Sequence, residues 1–120
     1  SMQKDDLVYV GHMLDMARSA RAKVEGISRA TYDKDENLRL ALAYLIQTIG
    51  EAARMVSEQF KAAHPEIPWR KITGTRHHIV HGYLHVDFEL LWDVTRTDLP
   101  LLMVQLDQIA GTASSGETEG

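Results

Sequence analysis

Apolar residues recur at three-and-four spacing along most of the chain. A first stripe runs Leu7, Val10, Leu14, Ala17, Ala20/Arg21 and Val24, the pattern of one helix face turned toward a core. Gly26 and Ser28 mark a turn after it. Asp33 followed by Glu36 has the spacing of an N-terminal capping pair, with Asp33 as the cap. A longer stripe follows: Leu38, Leu42, Leu45, Ile49, Ala52/Ala53, Val56 and Phe60. It predicts a helix over about residues 34–63, roughly 45 Å long, which Pro65 stops. One short neighbour cannot cover a helix of that length, so the pattern implies a bundle.

Pro68 is suited to the first position of a third helix, where its missing N–H is not needed. That helix carries Trp69, Ile72, Ile79 and Val80, with Gly74 weakening its middle. A fourth stripe runs Phe88, Leu91/Trp92, Leu99, Leu102/Met103, Leu106 and Ile109, and Pro100 inside it predicts a kink or a short extra helix. Trp69 and Trp92 are assigned to the core. Only residues 79–84 could be stretched into a strand. The expectation is an all-α fold, an antiparallel bundle of four main helices, with residues 2–110 as one domain and 111–120 as a flexible acidic tail. Ser1, ahead of Met2, is set aside as a remnant of tag cleavage.

Composition narrows the function classes. A chain of 120 residues, 44% hydrophobic and 25% charged, fits one domain and is too apolar for intrinsic disorder. Its longest apolar run, residues 40–46, is far short of the ~20 residues needed to span a bilayer. Lys4, Asp5 and Asp6 interrupt any signal-peptide core. The absence of cysteine removes disulfides, thiolate metal sites and a thiol nucleophile, and suits a reducing cytoplasm. Net charge is −4, which argues against a protein that coats duplex DNA. The charge is uneven, however. Residues 61–85 hold four Lys/Arg, one acid and five of the six histidines, a local +3 against −7 elsewhere. An anion site and a plain solvated helix face both fit that window.

Within it, Arg76, His77, His81 and Tyr83 are the candidate chemistry. If the third helix continued, His77 and His81 would lie about 40° apart, and Arg76 and His81 about 140°. A guanidinium beside imidazoles that titrate near neutrality suits phosphodiester chemistry. Arg76 would grip a phosphate, and His81 would take or supply a proton. Each residue has a plainer alternative: His81 as a cap at the helix end, Arg76 as a salt-bridge partner of Asp87 or Glu51, Glu51 as a surface charge. His77, His81 and His85 form an i, i+4, i+8 ladder, but no fourth ligand completes it, and neither metal nor cofactor is expected. His78 and His64 are read as surface residues.

The context of these residues adds a family resemblance. The run Ile49-Gly50-Glu51-Ala52-Ala53, then Ile67-Pro68-Trp69-Arg70-Lys71-Ile72-Thr73-Gly74, then Arg76-x4-His81-x-Tyr83, Val86-Asp87 and Leu91-Trp92 resemble the HEPN superfamily, and within it the HepT-like toxins. The resemblance covers roughly residues 5 to 110. It implies an up-and-down helical bundle and a homodimer in which two Arg-x4-6-His motifs meet in one cleft. It also implies metal-independent endoribonuclease activity on RNA, with Arg76 and His81 as the motif pair. His77 stands where the family often has Asn. Glu51 is a candidate supporting residue, able to hydrogen-bond the motif Arg or His. Tyr83 falls where a minimal nucleotidyltransferase antitoxin attaches AMP; the added bulk and charge would block RNA. The alternative is a non-catalytic HEPN module that binds a nucleotidyltransferase partner or a nucleotide.

Overall fold

The first stripe becomes α1, Met2–Val24, in the computed structural model. Val10, Met13, Leu14, Ala17, Ala20 and Val24 face inward, each at most 4% exposed. The structure describes residues 2–80 and 85–119, with side chains for 4–80 and 85–112. Gly26 adopts the left-handed conformation, φ 74°, that turns the chain. Ser28 then caps α2, Arg29–Lys34, its hydroxyl accepting from the Thr31 N–H at 3.1 Å. The next cap is Asp35, not Asp33. Asp35 accepts from the Leu38 N–H at 3.0 Å, whereas Asp33 lies inside α2 and pairs with Arg29 at 2.8 Å.

The long second helix is two helices. α3 spans Glu36–Met55 and α4 spans Glu58–Ala63. Val56 between them is extended, at φ −67° and ψ 138°. Ser57 caps α4, accepting from the Phe60 N–H at 3.1 Å. Asp6, only 4% exposed, meets the chain at this break. Its carboxylate accepts from the Ser57 N–H at 2.7 Å and from the Ser57 hydroxyl at 2.8 Å. Val56 and Phe60 are still buried, so the apolar rhythm runs straight through the break.

α5, Trp69–Ile79, starts one residue after Pro68, which takes the cap position. Trp69 is buried, and its indole N–H donates to the His64 carbonyl at 2.9 Å. The helix ends at Ile79 because Val80 is extended, φ −118° and ψ 113°. Val80 forms an isolated antiparallel bridge with Val86, and the Asp87 N–H donates to the Ile79 carbonyl at 2.7 Å. That bridge is all the strand character found among the described residues. Asp87 also caps α6, Phe88–Asp93, through the Leu90 N–H at 2.9 Å. A π-helical turn, Val94–Asp98, leads into α7, Leu99–Glu119. Pro100 lies just past that turn. A proline there has no N–H to donate and crowds the carbonyl four residues back, and the wider π turn accommodates it.

α3 packs against α1 and α5, α1 also against α7, and α6 closes on α3 and α5. With α6, the π turn and α7 counted as one rod, the four-helix bundle of the sequence reading stands. No described helix is long and apolar enough to cross a membrane. Tyr32 ties α2 to this frame: it is fully buried and donates to the Phe88 carbonyl at 2.5 Å. Its ring lies 4.7 Å from that of Trp92. Trp92 is only partly buried, and the Arg96 guanidinium lies over its ring, 5.1 Å from the centroid. Burial pushes the Tyr32 hydroxyl up to about 12, against the opposing pull of Arg29 and Arg39. An acid held neutral by folding favours the native state while the unfolded chain is also neutral, and loses that balance once the unfolded tyrosine ionises. Stability measured by denaturant titration is therefore expected to fall as pH rises from about 10 toward 12. A Tyr32→Phe protein should lack this component of the alkaline loss.

Candidate active site

The site is built where the last turn of α5 crosses the C-terminal part of α3. Gly50 is buried on α3, and a Cβ built there would lie 3.2 Å from Arg76 Cβ and 3.5 Å from both Arg76 Cδ and the Ile72 carbonyl oxygen. The two helices therefore approach as closely as the missing side chain allows. Thr73 and Thr75 turn their hydroxyls back onto the carbonyls of α5, at 3.2 Å and 2.7 Å. This satisfies them within the helix around Gly74.

At this crossing Arg76 meets Glu51. Arg76 Nη1 and Glu51 Oε1 form an ion pair, with the side chains 26% and 46% exposed. Of the two partners anticipated for Arg76, the fold selects Glu51; Asp87 is committed to capping α6. The second carboxylate oxygen of Glu51 accepts from Arg54 Nη2 at 3.2 Å. One acid thus stands between two arginines. Sequence reasoning passes over Arg54, and its i, i+3 spacing from Glu51 is the signal that finds it. Arg76 also sits in the last turn of α5, where a cation complements the helix dipole.

The +3 window along the chain is not a +3 patch in space. Lys61 pairs with Glu58 at 3.5 Å, Lys71 with Asp98 at 3.5 Å, and Arg76 with Glu51. All three acids lie outside the window; Glu58 reaches it by a local i,i+3 contact and Asp98 and Glu51 by tertiary ones, so these pairs offset its excess charge. Next to the Lys71–Asp98 pair, an apolar groove of about 260 Å³ opens between α3, α5 and α7, walled by Ile46, Ile49, Ile72, Leu99 and Leu102.

His77 is exposed and follows Arg76 in the last turn of α5; His78 is exposed as well. His81 and Tyr83 lie outside the described residues. Because α5 stops at Ile79 and Val80 is extended, the angles computed for a continuous helix do not carry to His81. The His77/His81/His85 ladder has no helical basis for the same reason. Among the described residues, no group of three His, Asp or Glu is arranged to hold a metal ion. The structure thus joins Arg76 to Glu51 with His77 alongside, and the ends of the following segment are tied by the Val80–Val86 bridge.

Comparison with known proteins places the chain in a family. A family model described as "Ribonuclease HepT-like" matches residues 13–109. A protein named "Putative RNase TTE0752" from Caldanaerobacter subterraneus subsp. tengcongensis is 30% identical over 101 residues, covering 84% of this chain and 90% of the relative. "Probable ribonuclease HepT" from Thermococcus cleftensis is 33% identical over 75 residues, 62% of this chain and 68% of that one. "Putative RNase MJ1380" from Methanocaldococcus jannaschii is 28% identical over 98 residues, 79% and 90% of the two chains. No solved structure gives a significant match. A helical bundle that sets an arginine at the end of α5, five residues before a histidine, and a family match over most of its length lead to one assignment: the chain belongs to the HepT-like ribonucleases of the HEPN superfamily.

Proposed function

We propose that the protein is a metal-independent endoribonuclease and the toxin of a pair with a minimal nucleotidyltransferase antitoxin, acting in the cytoplasm. The observation that carries this reading is Arg76. Its guanidinium is partly buried and held by an ion pair on a helix that ends three residues later, in a chain of a ribonuclease family. A guanidinium so held can grip a phosphate in two parallel hydrogen bonds and stabilise the charge that develops on it.

The reaction is attack of a ribose 2′-oxygen on the adjacent phosphorus. Neutral His81 takes the 2′-hydroxyl proton; the 5′-oxygen leaves with a proton from a protonated histidine, giving a cyclic phosphate and a free 5′-hydroxyl. In a homodimer with a composite cleft, two copies of His81 fill the two roles. His77, exposed beside Arg76, orients the substrate, and Glu51 supports Arg76. Adenylylation of Tyr83 by the antitoxin, with release of pyrophosphate from ATP, puts an anion beside the cleft and repels RNA.

Cleavage of single-stranded RNA in EDTA tests the reading. His81→Ala should lower the rate by roughly 10²–10⁴-fold. Equal cleavage by wild type and variant would sink the assignment. Silence of both, with retained nucleotidyltransferase binding, would instead identify a non-catalytic HEPN binding module. For the regulatory step, intact mass after co-expression with the nucleotidyltransferase should show adenylate on the wild type. The same adduct on Tyr83→Phe would rule out Tyr83 as acceptor.

A further inference from the structure

We propose that Gly50 and Glu51 are positioning residues that aim the Arg76 guanidinium, a reading that rests on the phosphate-binding role given to Arg76 above. A guanidinium is planar and presents more than one hydrogen-bonding edge. Glu51 engages Arg76 at Nη1, and on this reading the edge formed by Nη2 and Nε is the one that serves substrate. Glu51 is itself held: Arg54 donates to its other oxygen at 3.2 Å, so both carboxylate oxygens have a cation. Gly50 sets the distance. A Cβ at that position would crowd Arg76 Cβ at 3.2 Å and reach ordinary contact with the Ile72 carbonyl oxygen at 3.5 Å. Ion pairs as exposed as this one stabilise a fold little, so the value of the pair lies in orientation.

Orientation has an opposing effect that makes it separable from stability. The Glu51 carboxylate lowers the positive potential that RNA meets, so its neutral isostere should bind RNA at least as well while cleaving it more slowly. Gly50→Ala has a similar signature. Alanine is the better helix former, a gain that opposes the cost of its tight contact with Arg76 Cβ, so activity should fall with little change in melting temperature.

The experiment compares wild type, Glu51→Gln, Gly50→Ala and Arg76→Ala by steady-state cleavage of a labelled single-stranded RNA. Binding of a non-cleavable 2′-O-methyl RNA and thermal melts complete it. Glu51→Gln and Gly50→Ala should lose roughly 10- to 100-fold in kcat, with equal or tighter binding for Glu51→Gln and melting temperatures close to that of wild type. Wild-type kcat in Glu51→Gln, or weaker RNA binding, overturns the positioning role while Arg76→Ala still shows its own loss. Should Gly50→Ala melt early, Glu51→Gln decides alone. Full cleavage by Arg76→Ala overturns the underlying role of Arg76, and a wild type that does not cleave overturns both.

Discussion

Replacing Arg76 with lysine should lower RNA cleavage by roughly 10²–10³-fold while leaving the fold intact. The substitution keeps the positive charge but removes the fork that matches a phosphate with two parallel hydrogen bonds. A lysine ammonium held by Glu51 would have no fixed second edge to offer. The loss should therefore approach that of Arg76→Ala. Stability should barely change, because the Arg76 and Glu51 side chains are 26% and 46% exposed and such pairs contribute about 0–1 kcal/mol. Thermal melting and single-turnover cleavage check the two halves separately. Cleavage by Arg76→Lys within a few-fold of wild type would show that a point charge suffices and that bidentate geometry is not what the site uses.

The largest expected loss of stability follows removal of one carboxylate on α1. Asp6→Ala should destabilise the protein by about 3 kcal/mol, from the loss of charge-assisted hydrogen bonds and the stranding of a partly buried N–H donor. For a domain of this size that is a drop in Tm of roughly 10 °C. Ser57→Ala keeps the backbone N–H bonded to Asp6 and loses only the hydroxyl, which accepts from Phe60 and donates to Asp6. Its cost should be about 1 kcal/mol. Because the two residues share bonds, the double variant should cost less than the sum of the singles. Denaturant unfolding of the four proteins closes the cycle. An Asp6→Ala protein within about 0.5 kcal/mol of wild type would show that the α3–α4 break does not depend on this contact.

The elements of the bundle could be read from the chain because burial has a period. Val10, Leu14, Ala17 and Val24 on α1, and Leu42, Ile49 and Ala53 on α3, face inward by their spacing, and all are buried. The same spacing misplaced the cap at Asp33. Two aspartates two residues apart offer equal chemistry to a helix start, and only the path of α2 decides that Asp35 faces the Leu38 N–H. It also carried a helix through Val56, since Val56 and Phe60 stay buried on either side of the break. For the site, Arg76 and Glu51 were both named from the sequence. Arg54 was not, although its spacing from Glu51 is local.

The all-α architecture, the Arg-x4-His-x-Tyr motif with its flanking segments and, through them, the family are legible in the chain alone. Each is carried by spacing along one chain, and side-chain period and motif order need no third dimension. Which charges meet depends on the packing of the helices. That packing brings Asp6 across 51 positions to Ser57, selects Glu51 over Asp87 for Arg76, and sets Asp98 on Lys71. The charge window at 61–85, +3 along the chain, is thereby largely offset in space. Coulomb and hydrogen-bond energies depend on separation in ångströms, which helix crossings such as the close approach at Gly50 fix and residue numbers do not.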